Sequence, residues 1–181
     1  LRTVKIANVR NETSAIKSFV FRDKLCSSAE PGQFVMIWIP GVDEVPMSIS
    51  ALYPDTDEAA ITVEIVGTAT KTLHRMKIGD TIGVRGPLGN NYSISDKQTA
   101  MIVGGGTGLA SLAPLTERLV QQGAKITLVM GAKTRRDLLF LDRMNQVISK
   151  IHGKVVATTE NGDYGLKGLA TEPAEMLLSR G

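Results

Sequence analysis

The residues whose type and spacing point most directly to chemistry are Gly104, Gly105, Gly106, Thr107 and Gly108. An apolar run from Ala100 to Val103 leads into them, and a helical pattern with Leu109, Leu112, Leu115 and Leu119 on one face follows, ending at Gly123. A strand that passes through glycines into a helix N-terminus leaves backbone N–H groups without acceptors, and the helix dipole favours negative charge there. The matching ligand is a diphosphate. Glycines also serve any tight strand-to-helix turn, so the run alone is a weak signal. No Lys-Ser or Lys-Thr follows it, which argues against a nucleoside-triphosphate loop. No serine stands in a hydrolase-type Gly-x-Ser-x-Gly frame. The next strand, Lys125 to Met130, runs into Gly131-Ala132-Lys133, so the acidic residue that commonly holds the ribose of NAD is missing at its end.

Two further segments carry candidate chemistry. In Pro46-Met47-Ser48-Ile49-Ser50, proline favours an extended entry and hydroxyls alternate with apolar side chains. Gly67-Thr68-Ala69-Thr70 opens a short helix and is a second candidate diphosphate turn; its plain alternative is Thr70 as an ordinary cap. A third segment, Arg85-Gly86-Pro87-Leu88-Gly89-Asn90, reads as a loop whose glycines permit close backbone approach.

The elements that must position these residues fall into two textures. Residues 1–98 contain short β-like runs at Val4–Val9, Ile16–Phe21, Phe34–Ile39, Ser48–Leu52, Ile61–Val66 and Thr81–Arg85, separated by turn-formers. Six such strands predict a small antiparallel β-barrel. A short helix over Thr70–Lys77 interrupts them, with Leu73 and Met76 inward and Gly79 as its stop. Residues 99–181 alternate strand and helix over 100–103, 109–122, 125–130, 136–150 and 154–159, which predicts a parallel sheet flanked by helices. The boundary is expected in the polar stretch Ser93–Gln98.

Composition narrows the function classes. The 181 residues carry a net charge of +3, with basic residues scattered and aromatic content of only 4%, so no nucleic-acid partner is indicated. The single cysteine, Cys26, can form no internal disulfide and cannot by itself hold a cluster or structural zinc. His74 and His152 lack a metal-ligand partner at suitable spacing, and Trp38 reads as a core or domain-interface residue. No apolar run approaches the roughly 20 residues of a membrane span. A cytoplasmic protein without a membrane partner is expected.

The order of the pieces carries more than any one of them. Pro-x-Ser-Ile, then Gly-x-x-Thr before a short helix, then Gly-Pro-Leu-Gly, then a strand, GGGTG and a helix resembles the ferredoxin-reductase-like flavoproteins. Within them the likeness is greatest to the electron-transfer subunits of dihydroorotate dehydrogenase. The stretch from Gly131 to Leu138 and the stretch from Thr158 to Gly168 resemble two further segments of that family.

The resemblance implies a Greek-key β-barrel over 1–98 that binds FAD. It also implies a Rossmann-like domain over 99–181, short at its C-terminus, that binds NAD or NADP, with the two rings meeting between them. Carried over residue by residue, the flavin would lie along Val45, Pro46, Met47, Ser48 and Ile49, with Ser48 near its N5 and with Val63 and Glu64 at its border. Gly67, Ala69 and Thr70 would hold its pyrophosphate. Gly104 to Leu109 would hold the dinucleotide, with Lys133 and Arg135 beside it. Lys133, Arg135 and Arg136 fit either a 2′-phosphate or a solvated turn, and both readings stand. No catalytic side chain is implied, because hydride passes between the cofactors. A redox-inactive dinucleotide-binding or regulatory module with the same fold is the alternative.

Several positions depart from the family pattern. Val45 stands where an arginine usually pairs with the FAD pyrophosphate, Ala69 where glycine is frequent, and Ser111 where proline is frequent. The cysteine cluster of the family's [2Fe–2S] centre has no counterpart in these residues, since such a centre needs four cysteines. The expectation is therefore no [2Fe–2S] in this chain and electrons leaving from the flavin edge. The partner would be a catalytic dehydrogenase subunit or an iron–sulfur-bearing chain. A shortened sheet is also expected to leave an apolar edge beside Lys154–Thr159, favouring a partner or a second copy.

Overall fold

The computed structural model describes residues 1–93, 99–151 and 153–179. It divides into two compact units, Leu1–Tyr92 and Ser93–Gly181. Residues 94–98 of the expected boundary and His152 lie outside the described residues.

The first unit is a closed antiparallel barrel. Its strands are β1 (Arg2–Asn11), β2 (Ile16–Arg22), β3 (Phe34–Ile39), β4 (Asp43–Tyr53), β5 (Glu58–Glu64) and β6 (Thr81–Leu88), paired in the order β1-β2-β5-β4-β3-β6. Alternation puts Phe19 and Phe21 of β2, Val35 and Ile37 of β3, and Ile61 and Val63 of β5 inside. Closure leaves no bare strand edge. Helix α1 (Lys24–Ser27) is capped by Asp23, whose Oδ1 accepts the Cys26 N–H at 3.0 Å. Asp23 also binds Arg2, with Nε–Oδ2 at 2.6 Å, and Arg2 donates onward to the Gly86 carbonyl at 2.8 Å. Cys26 is wholly buried and its thiol is pushed up to about 12, first by desolvation and then by the Asp23 charge. Such a thiol stays protonated and inert.

Several expectations need correction. The strand expected from Ser48 begins at Asp43, so Pro46 sits within β4 opposite Met36 instead of at its entry. Pro46 is exposed, a position where a missing N–H is tolerated. The Gly-Pro-Leu segment is no loop, because β6 continues through Leu88. Trp38 is not core: Val35, Ile37 and Ile39 take the inward positions, which leaves Trp38 half-buried against Gly83.

Helix α2 (Thr68–Arg75) follows β5 and ends sooner than expected. Leu73 is fully buried, and Met76 packs on the core from the capping position. His74 is buried and donates through Nε2 to the Val63 carbonyl at 2.7 Å, with its ring edge-on to Phe19.

The second unit holds a parallel sheet in the order β10-β9-β8-β7. The strands are β7 (Thr99–Gly105), β8 (Lys125–Ala132), β9 (Lys154–Thr159) and β10 (Leu166–Lys167). The helices are α3 (Leu109–Gln121), α4 (Leu141–Ile148) and α5 (Thr171–Leu178). Arg143 of α4 grips Glu117 of α3 through two hydrogen bonds of 2.9 and 3.1 Å. The helix expected over 136–150 starts only at Leu141. Before it, Arg135–Asp137 makes a 3-10 turn and Phe140 takes a left-handed conformation at φ 62°. Leu138 and Leu139 are buried as an apolar run in that turn, a pattern that periodicity cannot separate from a helix. The edge expected beside β9 is covered only at its end: β10 pairs with Thr158 and Thr159, while β8 pairs along the other side of the strand.

Candidate functional site

Two places present a glycine turn that opens into a helix N-terminus, one in each unit. In the first, the opening intrahelical bond of α2 runs from the Lys71 N–H to the Gly67 carbonyl at 2.9 Å. The amides of Thr68, Ala69 and Thr70 therefore have no acceptor inside the helix. The turn before them is closed by Thr70 itself. Its Oγ1 accepts the N–H groups of Val66 and Gly67, each at 3.0 Å, and donates to the Gly67 carbonyl at 3.1 Å. This is half of a capping box, with the third helical residue reaching back to the cap. The buried Thr70 hydroxyl is thus committed to shaping the turn, which leaves backbone amides to meet an anion. No atom lies within 4 Å of where a Gly67 Cβ would stand, so a ligand can approach the backbone there. His74, at the other end of the helix, anchors α2 to β5 and so fixes where the amides point.

The sequence-predicted flavin residues distribute over both faces of the barrel wall. Pro46 and Ser48 are exposed on β4, and Glu64 and Gly67 are exposed at and beyond the end of β5. Ile49 and Val63 have their side chains in the barrel core, so any contact they make with a ring is through backbone. Val45 and Met47 are half-buried and pack against the same core, opposite Ile37 and Val35. Ala69 also packs there. Val45 is therefore a packing residue as well as the position of an absent charge. Ser50, the second hydroxyl of the candidate segment, is buried where β4 bulges; its hydroxyl donates to the Ala60 carbonyl at 3.2 Å and accepts from Thr62 at 2.8 Å.

In the second unit the glycines have separate tasks. A Cβ at Gly104 would come within 2.7 Å of Leu112 Cδ1, so glycine here lets α3 pack on β7. Gly106 has φ +51°, a left-handed value that suits glycine. Gly106–Gly108 is a 3-10 turn continuous with α3, and Leu109 begins the α-helix proper, buried against the sheet. The space around Gly106 and Gly108 is open, as a cradle for a diphosphate requires.

Register brings Gly105, Gly131 and Thr158 into one row at the carboxyl ends of β7, β8 and β9. Ligands of open parallel sheets bind beyond this edge. Thr158 Oγ1 is buried there and has no hydrogen-bond partner among the described residues. An orphaned polar atom at this edge is consistent with a polar ligand reaching it. The residues beyond β8 are tied to the loop beyond β9: Glu160 N–H donates to Ala132 O at 3.1 Å, Asn161 N–H to Lys133 O at 3.3 Å, and Arg135 N–H to Asp163 Oδ1 at 2.9 Å. Arg135 also lays its guanidinium 5.1 Å from the Tyr164 ring centroid. Desolvation pushes the Asp163 carboxyl up, but hydrogen bonds from Asn161, the Arg135 amide and Thr159 outweigh it and hold the group below the usual range. Lys133 is exposed beside them. Sequence reading found Lys133 and Arg135 but not Asp163, which joins them from 28 residues away. Among the described residues no group of three His, Cys, Asp or Glu side chains is placed to hold a metal. No helix among them is long and apolar enough to cross a membrane.

A barrel followed by a parallel sheet with a glycine turn after its first strand is the architecture of ferredoxin reductases, and the comparisons agree. Residues 102–178 match the oxidoreductase NAD-binding domain. An NADH-dependent reduced ferredoxin-NADP oxidoreductase superposes with a TM-score of 0.87 at 29% identity, over 98% of this chain and 64% of that one. The ferredoxin reductase of carbazole 1,9a-dioxygenase shares the fold, with a TM-score of 0.84 at 20% identity, over 97% of this chain and 56% of that one. Residues 102–178 thus form an oxidoreductase NAD-binding domain, and the chain as a whole has the ferredoxin-reductase-like fold.

Its similar curated relatives are more particular. It is 39% identical to a protein of Methanocella arvoryzae named "Probable dihydroorotate dehydrogenase B (NAD(+)), electron transfer subunit", over 92% of this chain and 60% of the relative. It is 38% identical to a protein of the same name in Methanocaldococcus jannaschii, over 96% of this chain and 62% of the relative. The chain spans about three fifths of the length of these relatives.

Proposed function

We propose that this chain is the cofactor-binding part of an electron-transfer flavoprotein subunit that passes reducing equivalents between NAD(P)H and FAD. The observation that carries the reading is the presence in each unit of one glycine turn opening a helix, with open space beside its backbone. Each unit thus has a seat for one pyrophosphate: FAD over 1–98, and NAD or NADP over 99–181. When bound, these cofactors supply the redox chemistry themselves.

The protein's own part is to bind and orient. The amides of Thr68, Ala69 and Thr70 hold one pyrophosphate, and Ser48 offers an exposed hydroxyl on the neighbouring strand. Gly106, Thr107 and Gly108 offer backbone to the other. The names of the similar relatives support a dihydroorotate dehydrogenase as the partner with which electrons are exchanged.

The test is a titration of the purified chain with FAD followed by NADH without oxygen. Quenching of flavin fluorescence on binding, then bleaching of the flavin absorption by NADH, is the expected result. A chain that takes up no FAD at micromolar concentration overturns the flavoprotein reading. Binding of NADH with no bleaching of bound FAD would instead favour a redox-inactive dinucleotide-binding module.

A further inference from the structure

We propose that Thr62 is a positioning residue for the flavin edge: with Ser18 and Ser50 it locks the bulge of β4 that turns the Ser48 hydroxyl outward. The inference rests on the reading of the barrel as a flavin site.

Three buried hydroxyls form a chain across the barrel wall. Ser18 of β2 stands opposite Thr62 of β5, with their oxygens 2.7 Å apart. Thr62 donates to the Ser50 hydroxyl at 2.8 Å, and Ser50 donates to the Ala60 carbonyl at 3.2 Å. Each hydroxyl has a single proton to give, so Ser18 is the donor to Thr62. The chain therefore runs one way, from β2 through β5 to β4. Breaking a link strands a buried polar atom.

The chain ends on the residue where β4 changes phase. Ile49 pairs with Ile61 and Ala51 with Ala60, so Ser50 is the extra residue of a β-bulge. Before the bulge Val45, Met47 and Ile49 pack on the barrel core; after it Leu52 does, while Ala51 joins Val20 and Ala60 on the outer side. Strict alternation back from Leu52 would send Ser48 inward and Ile49 outward. The bulge reverses that and leaves Ser48 exposed. Burial of Met47 and Ile49 favours the bulge, and the hydroxyls fix its geometry: both partners of Ser50, Thr62 and Ala60, belong to β5.

The lock also lies beside the position it serves. Pairing between β4 and β5 runs from Tyr53 opposite Glu58 to Ile49 opposite Ile61 and takes in no earlier residue of β4. Ser48 is the first residue past that last rung, where its paired neighbour is Phe34 of β3. The Thr62–Ser50 bond thus ties the strands together immediately before the point from which Ser48 would meet the ring. A hydroxyl carried on a fixed bulge is held in one place for its acceptor, which a loose one is not.

The test is a double-mutant cycle on the full chain between Thr62→Val and Ser48→Ala, read by FAD titration and by the midpoint potential of the bound flavin. Each single change should weaken FAD binding by about three- to tenfold, the worth of one neutral hydrogen bond, and shift the potential in the same direction. In the Ser48→Ala background, Thr62→Val should add less than about twofold and leave the potential where it is. Thr62→Ser retains the donor and should behave as the wild type. Melting temperatures should fall equally with Thr62→Val in both backgrounds, which reads lost stability apart from lost position. Ser50→Ala breaks the same bond from β4 and repeats the cycle if Thr62→Val does not fold. Additive effects on affinity, a potential unmoved by the single variants, or loss of binding in Thr62→Ser overturns the assignment while the flavin reading stands. A wild type that binds no FAD overturns the flavin reading, and the assignment with it.

Discussion

His74 donates from Nε2 to the carbonyl of Val63 at 2.7 Å, and this one bond joins the last turn of α2 to the end of β5. Lys17 adds a second tie, donating to the His74 carbonyl at 2.9 Å. His74 is thus a positioning residue for a phosphate seat it does not touch. His74→Phe keeps the apolar contact with Phe19 but removes the hydrogen bond to the Val63 carbonyl, at a cost of about 0.5–1.5 kcal/mol. A lower midpoint of urea unfolding and weaker FAD binding are expected together. Unchanged FAD affinity in a destabilised variant would show that α2 does not carry the flavin pyrophosphate.

The glycine turn after β7 predicts a separation of stability from binding. Gly104→Ala places a methyl against Leu112 and Leu109, whose side chains must shift to admit it, and should destabilise the second unit by about 1 kcal/mol. Gly108 has open space and an ordinary helical φ of −58°. Gly108→Ala should therefore leave stability unchanged or raise it by up to about 1 kcal/mol, while its methyl obstructs the diphosphate. Thermal melts and NADH titration of both variants check this, and strong NADH binding by Gly108→Ala would move the nucleotide elsewhere.

Val45 has two roles that one substitution separates. Under the flavin reading, Val45→Arg restores a charge-assisted contact and should tighten FAD binding by about one to two orders of magnitude at low salt. The gain should shrink as salt screens it. The same change removes an apolar side chain that packs against the barrel core, so the melting temperature should fall. FAD affinity that does not rise at low salt would mean that the pyrophosphate does not pass Val45.

The Asp23–Arg2 pair predicts a pH dependence of stability. Burial pushes the Asp23 carboxyl up, but the Arg2 and Cys26 hydrogen bonds outweigh it and set its folded pKa below the ordinary value of 3.8. A depressed folded pKa contributes stability above the unfolded pKa, lost as pH falls through the folded one. Asp23→Asn should therefore cost about 1–3 kcal/mol at pH 7, where a buried charged hydrogen bond is broken. The difference from wild type should close below pH 3.8. Equal stability of the two proteins at pH 7 would contradict the role assigned to the pair.

Much of the architecture is legible in the amino-acid order because it rests on local rules. Short β-like runs between turn-formers marked the six barrel strands, though not the start of β4, and the run from Ala100 through the glycines to Leu119 marked β7, its turn and α3. Those features depend on neighbours a few residues apart. The start of α4 was not legible, because Leu138 and Leu139 bury equally well in a turn as in a helix, and Phe140 adopts a conformation that no local pattern announces.

At the sites, sequence alone located the two glycine turns and the exposed cations after β8. Only tertiary structure decided what surrounds them. It spent the Thr70 hydroxyl on its own turn, set Ile49 and Val63 into the core, and turned His74 from an uninformative residue into the anchor of α2. It also carried Asp163 across 28 residues to the Arg135 amide. Pairing between neighbouring strands of a parallel sheet brings their carboxyl ends together whatever the length of chain between them, and spacing in sequence holds no record of that distance.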